Sequence, residues 1–497
     1  MKRIKKLATL ALTSIISLCS VFSGCSWLEK NNSSATAPDY SGSNKEYTFW
    51  AYSGSCGTWY ERDGVRTYFE DGTRMTAENM KLYKEAGFNV LFVDWSVHNY
   101  NGLADKWETS ALKAAMDLAY EEGLKVFVFE GNLWNLSQVK QKLVDTVNPY
   151  VYNGYEFTSE EVLIEFVETV LKDIKQHPAF YGVSLKDEAE YTMFPAMGEV
   201  YRAVKAVCPD AFVNMNINPM TQGLENQYYC ENGSELGTVK AYKKYIQTYY
   251  ENIGQYCGYI QYDDYPVLNN SILANHLDNA QIVAEYCKET GMRFGKVFQT
   301  ATFLDRRKCN ERDMRWQMNI GMAMGIKDFS YWTYYPRVSN SGEMDESASF
   351  VDRYGKPNDI YPVMKKLHQE MQFNAKALMN FEYQGLNYYT KTPIPGNYGY
   401  LSGVDKSDLL MVDSVALDSE GIILVTEQYD ELKQQYGYYI VNITDPQKTT
   451  EIKVDITFND CANVQVYEGG EAKNKELKDG KISFYLPTGS GVFVMPY

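Results

Sequence analysis

The sequence predicts an α/β fold in which a (β/α)8 barrel, the TIM-barrel architecture, precedes an all-β sandwich domain. Three observations predict it: helix, glycine and strand follow one another repeatedly, polar residues stand directly after most strands, and the pattern changes near Tyr383. A chain of 497 residues is also too long for one ordinary hydrophobic core, which favours two domains.

Four segments share one pattern, in which a helical stretch ends at a glycine, an apolar residue follows and a strand begins. A glycine just beyond a helix adopts the left-handed conformation, and the next apolar residue packs back on the last turn. Each segment is therefore a step from helix to strand, and repeated steps of this kind produce a parallel sheet. The four glycines are Gly87, Gly123, Gly291 and Gly325.

Eight predicted strands alternate with eight predicted helices, which is the order of a (β/α)8 barrel with loop insertions. A doubly wound open sheet is the alternative, but no glycine-rich phosphate-binding fingerprint follows any strand, which favours the barrel. The strands are Tyr47–Tyr52, Val90–Asp94, Lys125–Glu130, Phe180–Leu185, Phe212–Asn216, Gly258–Asp263, Phe294–Gln299 and Phe329–Thr333. The helices are Ala77–Ala86, Ser110–Glu121, Ser159–Gln176, Phe194–Val207, Val239–Asn252, Ile272–Glu289, Glu311–Met324 and Ile360–Met379.

From about Tyr383 the segments alternate between apolar and polar residues and are rich in β-forming residues. Such segments, separated by turn residues, predict an antiparallel sandwich. We therefore assign residues 46–382 to the barrel and residues 383–497 to the sandwich. The predicted strands of the second domain are Gly421–Thr426, Tyr436–Ile443, Glu451–Phe458, Ala462–Tyr467 and Lys481–Leu486.

The N-terminus has the features of an export signal. Met1–Lys6 carries four basic residues and Leu7–Phe22 is apolar, which predicts a signal peptide over residues 1–24. The tripeptide that ends at Cys25 resembles the lipobox of bacterial lipoproteins, which implies that Cys25 is lipidated. Residues 25–45 are rich in small polar residues and predict a flexible tether. The expected location is the outer side of a bacterial cell membrane, held there as a lipoprotein.

Charge and cysteine content narrow the expected partners. Without residues 1–24 the chain has 44 basic and 64 acidic side chains, a formal net charge of −20. Such a surface disfavours nucleic acids and anionic lipid headgroups, so the lipid anchor is the expected contact with the membrane. The nine cysteines form no CxxC pair and none stands near a histidine at ligand spacing, so neither a metal nor another cofactor is predicted.

Polar and aromatic residues stand at the C-terminal ends of the predicted strands. In a barrel these ends surround one mouth, where functional groups collect. Acids can act on a glycosidic bond, while amides and rings can bind sugar hydroxyls and pyranose faces, so a carbohydrate is the predicted substrate. The candidate catalytic residues are Glu188, Asp187 and Glu130. The candidate substrate-binding residues are Asp94, Trp95, Asn216, Asp263, Asp264, Tyr265, Gln299, Trp332 and Tyr334.

Three stretches resemble the clan of barrel glycoside hydrolases that includes β-galactosidases with β-sandwich tails. They are Gly182–Glu188, which has Ala189 where the clan commonly has proline, Gly258–Pro266, and Arg315–Gly325 together with Tyr331-Trp332. The resemblance implies that Glu188 is the general acid/base. It also implies a nucleophilic glutamate at the end of the seventh strand, where this chain has Gln299.

An amide cannot form a glycosyl ester, so Gln299 leaves the mechanism open between three explanations. The second carboxylate can come from another strand, with Glu130, Asp94 or Asp264 as candidates. Alternatively, the Asp187-Glu188 pair resembles that of β-hexosaminidases, in which the aspartate orients an N-acetyl group of the substrate that acts as nucleophile. The third explanation is a catalytically silent protein that binds glycans at the surface.

Overall fold

The computed structural model describes residues 36–54, 59–62, 65–68, 76–93, 100–336, 347–392 and 399–497. Eight parallel strands form one sheet in the order β1-β8-β7-β6-β5-β4-β3-β2, so that strands consecutive in the chain are neighbours from β2 to β8. These strands are β1 (Thr48–Ala51), β2 (Val90–Val93), β3 (Lys125–Phe129), β4 (Phe180–Ala189), β5 (Phe212–Ile217), β6 (Tyr259–Asp263), β7 (Arg293–Gln299) and β8 (Asp328–Trp332). All eight predicted strands are confirmed.

Asn89 closes the sheet into a barrel between β1 and β2. Its backbone N–H donates to the Phe49 carbonyl at 3.2 Å, and the Phe49 N–H donates to Asn89 Oδ1 at 2.8 Å. Asn89 Nδ2 also donates to the Tyr47 carbonyl at 2.8 Å. Asn89 therefore supplies, from its backbone and its side chain, bonds that join the two ends of the sheet.

A helix follows each strand and covers the outside of the barrel, as predicted. Side-chain caps fix several helix starts: Ser110 accepts from Lys113 N, and Asn310 forms a reciprocal capping box with Asp313. The helices are α1 (Ala77–Glu85), α2 (Ala111–Glu121), α3 (Glu160–Leu171), α4 (Phe194–Val207), α5 (Thr238–Tyr249), α6 (His276–Thr290), α7 (Glu311–Ala323) and α8 (Ile360–Leu378). Shorter helical segments include Ile174–Gln176 and Tyr250–Gly254, which continue predicted helices, and Gly131–Ser137, Glu225–Tyr229, Gly233–Leu236 and Gln255–Cys257, which were not predicted.

Aromatic side chains fill the lower part of the barrel interior. Trp50, Phe92 and Phe127 form one buried cluster with Val297, and the Phe92 and Phe127 rings stack with their centroids 4.4 Å apart. Polar side chains replace them towards the C-terminal ends of the strands, where Asn216 and Asp263 are buried. The interior thus changes from apolar at the base to polar at the mouth.

The second domain is a sandwich of a six-stranded and a three-stranded antiparallel sheet, which confirms the predicted fold class. Its core lies between the sheets and includes Ile440, Val454 and Val492. The strands are β9 (Glu382–Thr390), β10 (Val412–Leu417), β11 (Ile422–Asp430), β12 (Gln435–Asn442), β13 (Glu451–Phe458), β14 (Asn463–Glu468), β15 (Glu471–Glu476), β16 (Lys481–Pro487) and β17 (Gly491–Pro496). Their order is β9-β11-β12-β17-β14-β15 in one sheet and β10-β13-β16 in the other.

The two domains share a buried interface between the six-stranded sheet and helix α7. Trp316 Nε1 donates to the Ile443 carbonyl at 3.1 Å, and the Tyr439 hydroxyl donates to Asn319 Oδ1 at 2.8 Å. Gln428 Nε2 donates at 2.8 Å to a carbonyl near the C-terminal end of α7, that of Met322. Such buried, satisfied polar contacts fix the relative position of the domains.

The segment before β1 packs against the rest of the protein. The Tyr40 side chain is 4% exposed, and its hydroxyl donates to Asp430 Oδ2 at 2.7 Å. Its ring contacts Phe381 at 5.7 Å, and the Lys433 ammonium lies 3.9 Å from its centroid. The folded chain therefore begins before residue 46, inside the stretch predicted as a tether.

Within the described residues, no helix is long and apolar enough to span a membrane. The predicted signal peptide and Cys25 lie outside the described residues.

Candidate active site

β4 is irregular at its C-terminal end, where the strand turns locally and presents Glu188. The register to β5 shifts between Ser184 and Lys186 and again between Lys186 and Ala189. Glu188 has φ +50°, a left-handed conformation that is uncommon for a residue with a side chain and costs on the order of 1 kcal/mol. This turn directs the Glu188 side chain to the solvent at the mouth of the barrel.

Two buried side chains hold this turn through the carbonyl of Ala189. Asn218 Nδ2 donates to that carbonyl at 3.0 Å, and the Tyr245 hydroxyl donates to the same oxygen. Tyr245 is fully buried and Asn218 is 4% exposed. Because both donors come from the elements after β4, the surrounding fold stabilises the unfavourable backbone of Glu188.

Asp187 and Asp263 are bridged by one amide. Asn216 Nδ2 donates to Oδ1 of Asp187 and to Oδ1 of Asp263, both at 2.9 Å. The Tyr52 hydroxyl donates to the same oxygen of Asp187 at 3.1 Å. Side chains from β4, β5 and β6 and from the residue after β1 thus meet in one hydrogen-bonded cluster.

The carboxyl groups of Glu188 and Asp263 contact each other, with protonated Asp263 as the donor and Glu188 as the acceptor. Two carboxylates at this distance cannot both be ionised at low cost, so the pair holds a proton. Burial and the charges of Glu188 and Asp187 raise the pKa of Asp263 well above its usual range. The pKa of Glu188 is raised as well, first by desolvation and then by the charge of Asp187. Although Glu188 opens to solvent on one side, protein groups surround it on the others.

Aromatic rings stand beside the carboxyl cluster. Trp332 lies at the end of β8 with its ring 5.3 Å from that of Tyr52. Tyr265 follows β6 and packs edge-on against Phe303 at 5.1 Å. Burial, and the charges of Asp263 and Asp187, raise the pKa of Tyr265, so its hydroxyl stays protonated. These rings and hydroxyls are suited to contact a sugar.

Glu130 does not join this cluster as a free acid, contrary to its prediction as a catalytic candidate. It is the N-cap of the helix Gly131–Ser137, and its carboxylate accepts from Leu133 N at 2.8 Å, Gly102 N at 3.1 Å and Asn132 Nδ2 at 2.7 Å. Burial raises its pKa to about 7. All these partners are structural, so Glu130 holds a helix and a loop in place.

Asp264 points away from the mouth, which corrects its assignment as a binding residue and candidate second carboxylate. It follows Asp263 in the chain, so alternation places it on the outer side of the sheet. There it contacts His276 Nδ1 at 2.6 Å and Lys296 Nζ at 3.7 Å, and all three side chains are buried. The charge of Lys296 and the contact with His276 hold the pKa of Asp264 below its usual value despite burial.

Gln299 and Tyr334 are also engaged elsewhere. Gln299 is fully buried, and its amide donates to the carbonyls of Val267 at 3.1 Å and Arg307 at 3.2 Å while accepting from Val267 N at 2.9 Å. Tyr334 is 1% exposed, with its ring 4.8 Å from Tyr83 in the core between barrel and helices. Neither side chain is available to a ligand at the mouth, which corrects both assignments.

Asp94 and Trp95 lie outside the described residues. Of the remaining candidates, the structure brings Asp187, Glu188, Asn216 and Asp263 into contact and places Tyr265 beside them. Sequence reasoning missed Tyr52, and it assigned Asp263 to binding although Asp263 is the direct partner of Glu188. The alternation of β6 carried the signal, since residues 259, 261 and 263 share its inner face. Over the described part of the chain, no group of three or more His, Cys, Asp or Glu is arranged to hold a metal.

Comparisons with known proteins give only distant similarity. No protein-family model matches the sequence, and no curated protein matches it. A glycoside hydrolase family 30 subfamily 8 xylanase from Clostridium acetobutylicum is 12% identical with a TM-score of 0.40, covering 91% of this chain and 98% of that chain. An Anoxybacillus α-amylase is 10% identical with a TM-score of 0.47 and the same coverages, 91% and 98%. A GH27 β-L-arabinopyranosidase from Geobacillus stearothermophilus is 9% identical with a TM-score of 0.44, covering 93% and 98%. The function of this chain is therefore inferred from the residues at its own barrel mouth.

Proposed function

We propose that the protein is a glycoside hydrolase that cleaves O-glycosidic bonds of extracellular oligo- or polysaccharides, with Glu188 as general acid/base. One observation carries the proposal: Glu188 lies at the solvent-facing mouth of the barrel beside the carboxyl groups of Asp187 and Asp263, which Asn216 bridges. A glycosidic acid must be protonated when the substrate binds, and the raised pKa of Glu188, caused first by desolvation and then by the charge of Asp187, favours that form. The rings of Trp332 and Tyr265 stand where the sugar would be held.

The short Glu188–Asp263 contact assigns different tasks to the two groups. The two acting carboxyls of a retaining enzyme are about 5–5.5 Å apart and those of an inverting enzyme about 6.5–9.5 Å apart. Directly hydrogen-bonded carboxyls are closer than either. Asp263 is therefore not the second acting group, which must be another one.

Asp187 favours a substrate-assisted form of this reaction as the second candidate. Its Oδ1 is fixed by Asn216 and Tyr52, directly beside Glu188. A carboxylate held in this way could orient the N-acetyl group of a 2-acetamido sugar while that group attacks the anomeric carbon. Glu188 would then protonate the leaving oxygen.

The test is the variant Glu188→Gln assayed on aryl glycosides with and without a 2-acetamido group. The variant keeps the size of the side chain but has no proton to donate, so we expect kcat/KM to fall at least about a hundredfold. Glu168→Gln is the matched control, because Glu168 lies on α3 and pairs only with Lys175.

Full activity of Glu188→Gln would contradict the proposal. If the parent protein cleaves only 2-acetamido glycosides, the substrate-assisted form is correct. If the parent binds glycans on an array but releases no product over long incubation, the protein is a catalytically silent glycan-binding protein.

We also propose that Cys25 carries a lipid and holds the protein on the outer side of the cell membrane. The charged start, apolar stretch and cysteine of the N-terminus support this location.

A further inference from the structure

Lys186 is a half-buried cation at the edge of the carboxyl cluster. Its ammonium lies 4.4 Å from the centroid of the Trp134 ring. Trp134 belongs to the helix that follows β3, so Lys186 occupies the β3 side of the mouth, whereas Asp263 belongs to β6. The Phe129 ring packs against the Trp134 ring, with their centroids 5.0 Å apart.

Lys186 has no ion-pair partner among the described residues. No carboxylate oxygen of these residues lies within ion-pair distance of its ammonium, although Asp187 and Glu188 follow Lys186 in the same strand. The nearby Glu190 pairs with Lys140 at 2.6 Å instead. Desolvation lowers the pKa of Lys186, and the charges of Asp187, Glu188 and Glu190 oppose this effect. The Trp134 ring and these more distant carboxylates thus stabilise the charge of the half-buried Lys186.

The position of Lys186 places its charge beside the reacting bond. Lys186 stands two positions before Glu188 in the chain, so their Cα atoms are at most about 7 Å apart and both residues lie at the C-terminal end of β4, at the mouth. A neutral sugar gains little from a half-buried ammonium. An anionic sugar needs one, because three carboxyl groups and an acidic protein would otherwise repel it.

We propose that Lys186 is a specificity residue that binds the anionic substituent of an acidic sugar next to the scissile bond. The substituent is a carboxylate, as in a uronic acid, or a sulfate ester. The ammonium supplies a point charge and three donors, which either group can accept. This inference rests on the proposed glycosidase function, and its test includes binding, which does not require hydrolysis.

The first experiment compares aryl glucuronide with aryl glucoside, and aryl galacturonide with aryl galactoside. We expect the parent protein to prefer a uronide, and Lys186→Met to lower kcat/KM for that uronide at least tenfold while changing the matched neutral glycoside less than threefold. Lys186→Arg keeps the charge and should retain part of the preference. Lys140→Met, which removes an exposed lysine paired with Glu190, is the control.

The second experiment measures binding of neutral, uronate-containing and 6-sulfated oligosaccharides to the parent and to Lys186→Met. Tighter binding of one anionic class, lost in Lys186→Met and weakened by salt, supports the inference and identifies the substituent. It does so even if no glycoside is hydrolysed, in which case only the proposed hydrolase function fails. Equal losses for neutral and anionic sugars would mean that Lys186 only positions its neighbours, and would overturn the inference. Absence of any anionic preference in the parent would also overturn it.

Discussion

Asp263 makes the stability of the protein depend on pH. Its pKa and that of Glu188 are raised in the folded state. Below about pH 4 both carboxyls are protonated in the folded and the unfolded chain, so their shifts do not affect folding. As the pH rises further, the unfolded chain releases these protons while the folded pair retains them. The free energy of unfolding therefore decreases with rising pH until the raised pKa values are passed.

Asp263→Asn should remove this effect. The asparagine Oδ1 can still accept from Asn216, and its Nδ2 can donate to Glu188. We expect the variant to be more stable than the parent by about 1 kcal/mol at pH 7 and nearly unchanged at pH 3.5, measured by calorimetry at both pH values.

The same change should reduce activity, because Glu188 then meets a donor and its pKa falls. The alkaline limb of the pH–rate profile, where the general acid loses its proton, should move to lower pH. A variant that is destabilised equally at both pH values, with an unchanged profile, would show that Asp263 does not share a proton with Glu188.

At the level of single residues, the sequence located the mouth but not the contacts within it. Polar residues at strand ends could be grouped because parallel strands end on one side. The roles of Asp263 and Asp264 could not be separated by residue type, because only the direction of each side chain distinguishes them. The left-handed backbone of Glu188 has no sequence signature, since it is imposed by Asn218 and Tyr245 from later elements.

Gln299 connects two elements at the mouth. Its amide bonds to Val267, after β6, and to Arg307, after β7. Gln299 stands at the end of β7, where the resemblance implies a nucleophile. Its amide links these two loops instead.

Gln299→Glu should therefore destabilise the protein without creating a nucleophile. A carboxylate would face two carbonyl oxygens in a fully buried site, and we expect a loss of about 3 kcal/mol in the free energy of unfolding. The measurement is denaturant unfolding, with Gln299→Met as control, since it removes the hydrogen bonds without adding a charge. A stable Gln299→Glu variant with increased activity would show that this side chain faces the substrate.

Elements of the barrel were predictable because buried parallel strands are continuous apolar runs and glycines mark the helix ends. The elements that were missed lack such patterns. β15, Glu471–Glu476, is an edge strand without an apolar face, and it is formed by pairing with β14. The helix Gly131–Ser137 begins with glycine, a poor helix former, and depends on its cap by Glu130.

At the level of the whole molecule, the hydrophobic core around the barrel continues onto one face of the six-stranded sheet, while the sandwich has a separate core between its two sheets. Met318 and Met322 of α7 belong to the same buried cluster as Tyr439 and Phe493 of the six-stranded sheet. The sandwich therefore covers an apolar face that the barrel alone would expose to water. The site depends on the sandwich indirectly, because α7 follows the loop that Gln299 fixes.

Cys25→Ser tests the proposed attachment of the whole molecule. We expect the parent protein to fractionate with membranes and to incorporate labelled fatty acid, and the variant to lose both properties. Cys19→Ser, within the predicted signal peptide, should keep them. Equal distribution of parent and Cys25→Ser between membrane and soluble fractions would contradict the attachment.

The packing of Tyr40 also determines which end of the barrel lies nearest to the N-terminal segment. Tyr40 contacts Phe381, whose carbonyl accepts from Lys327, just before β8, so the chain enters the fold at the base of the barrel. Thirteen residues lie between Cys25 and Asp39, so this stretch spans at most about 50 Å when it is fully extended. A lipid at Cys25 would thus keep the base of the barrel towards the bilayer. Glu188, at the opposite end of the strands, would face outward to glycans that approach from the surroundings of the cell.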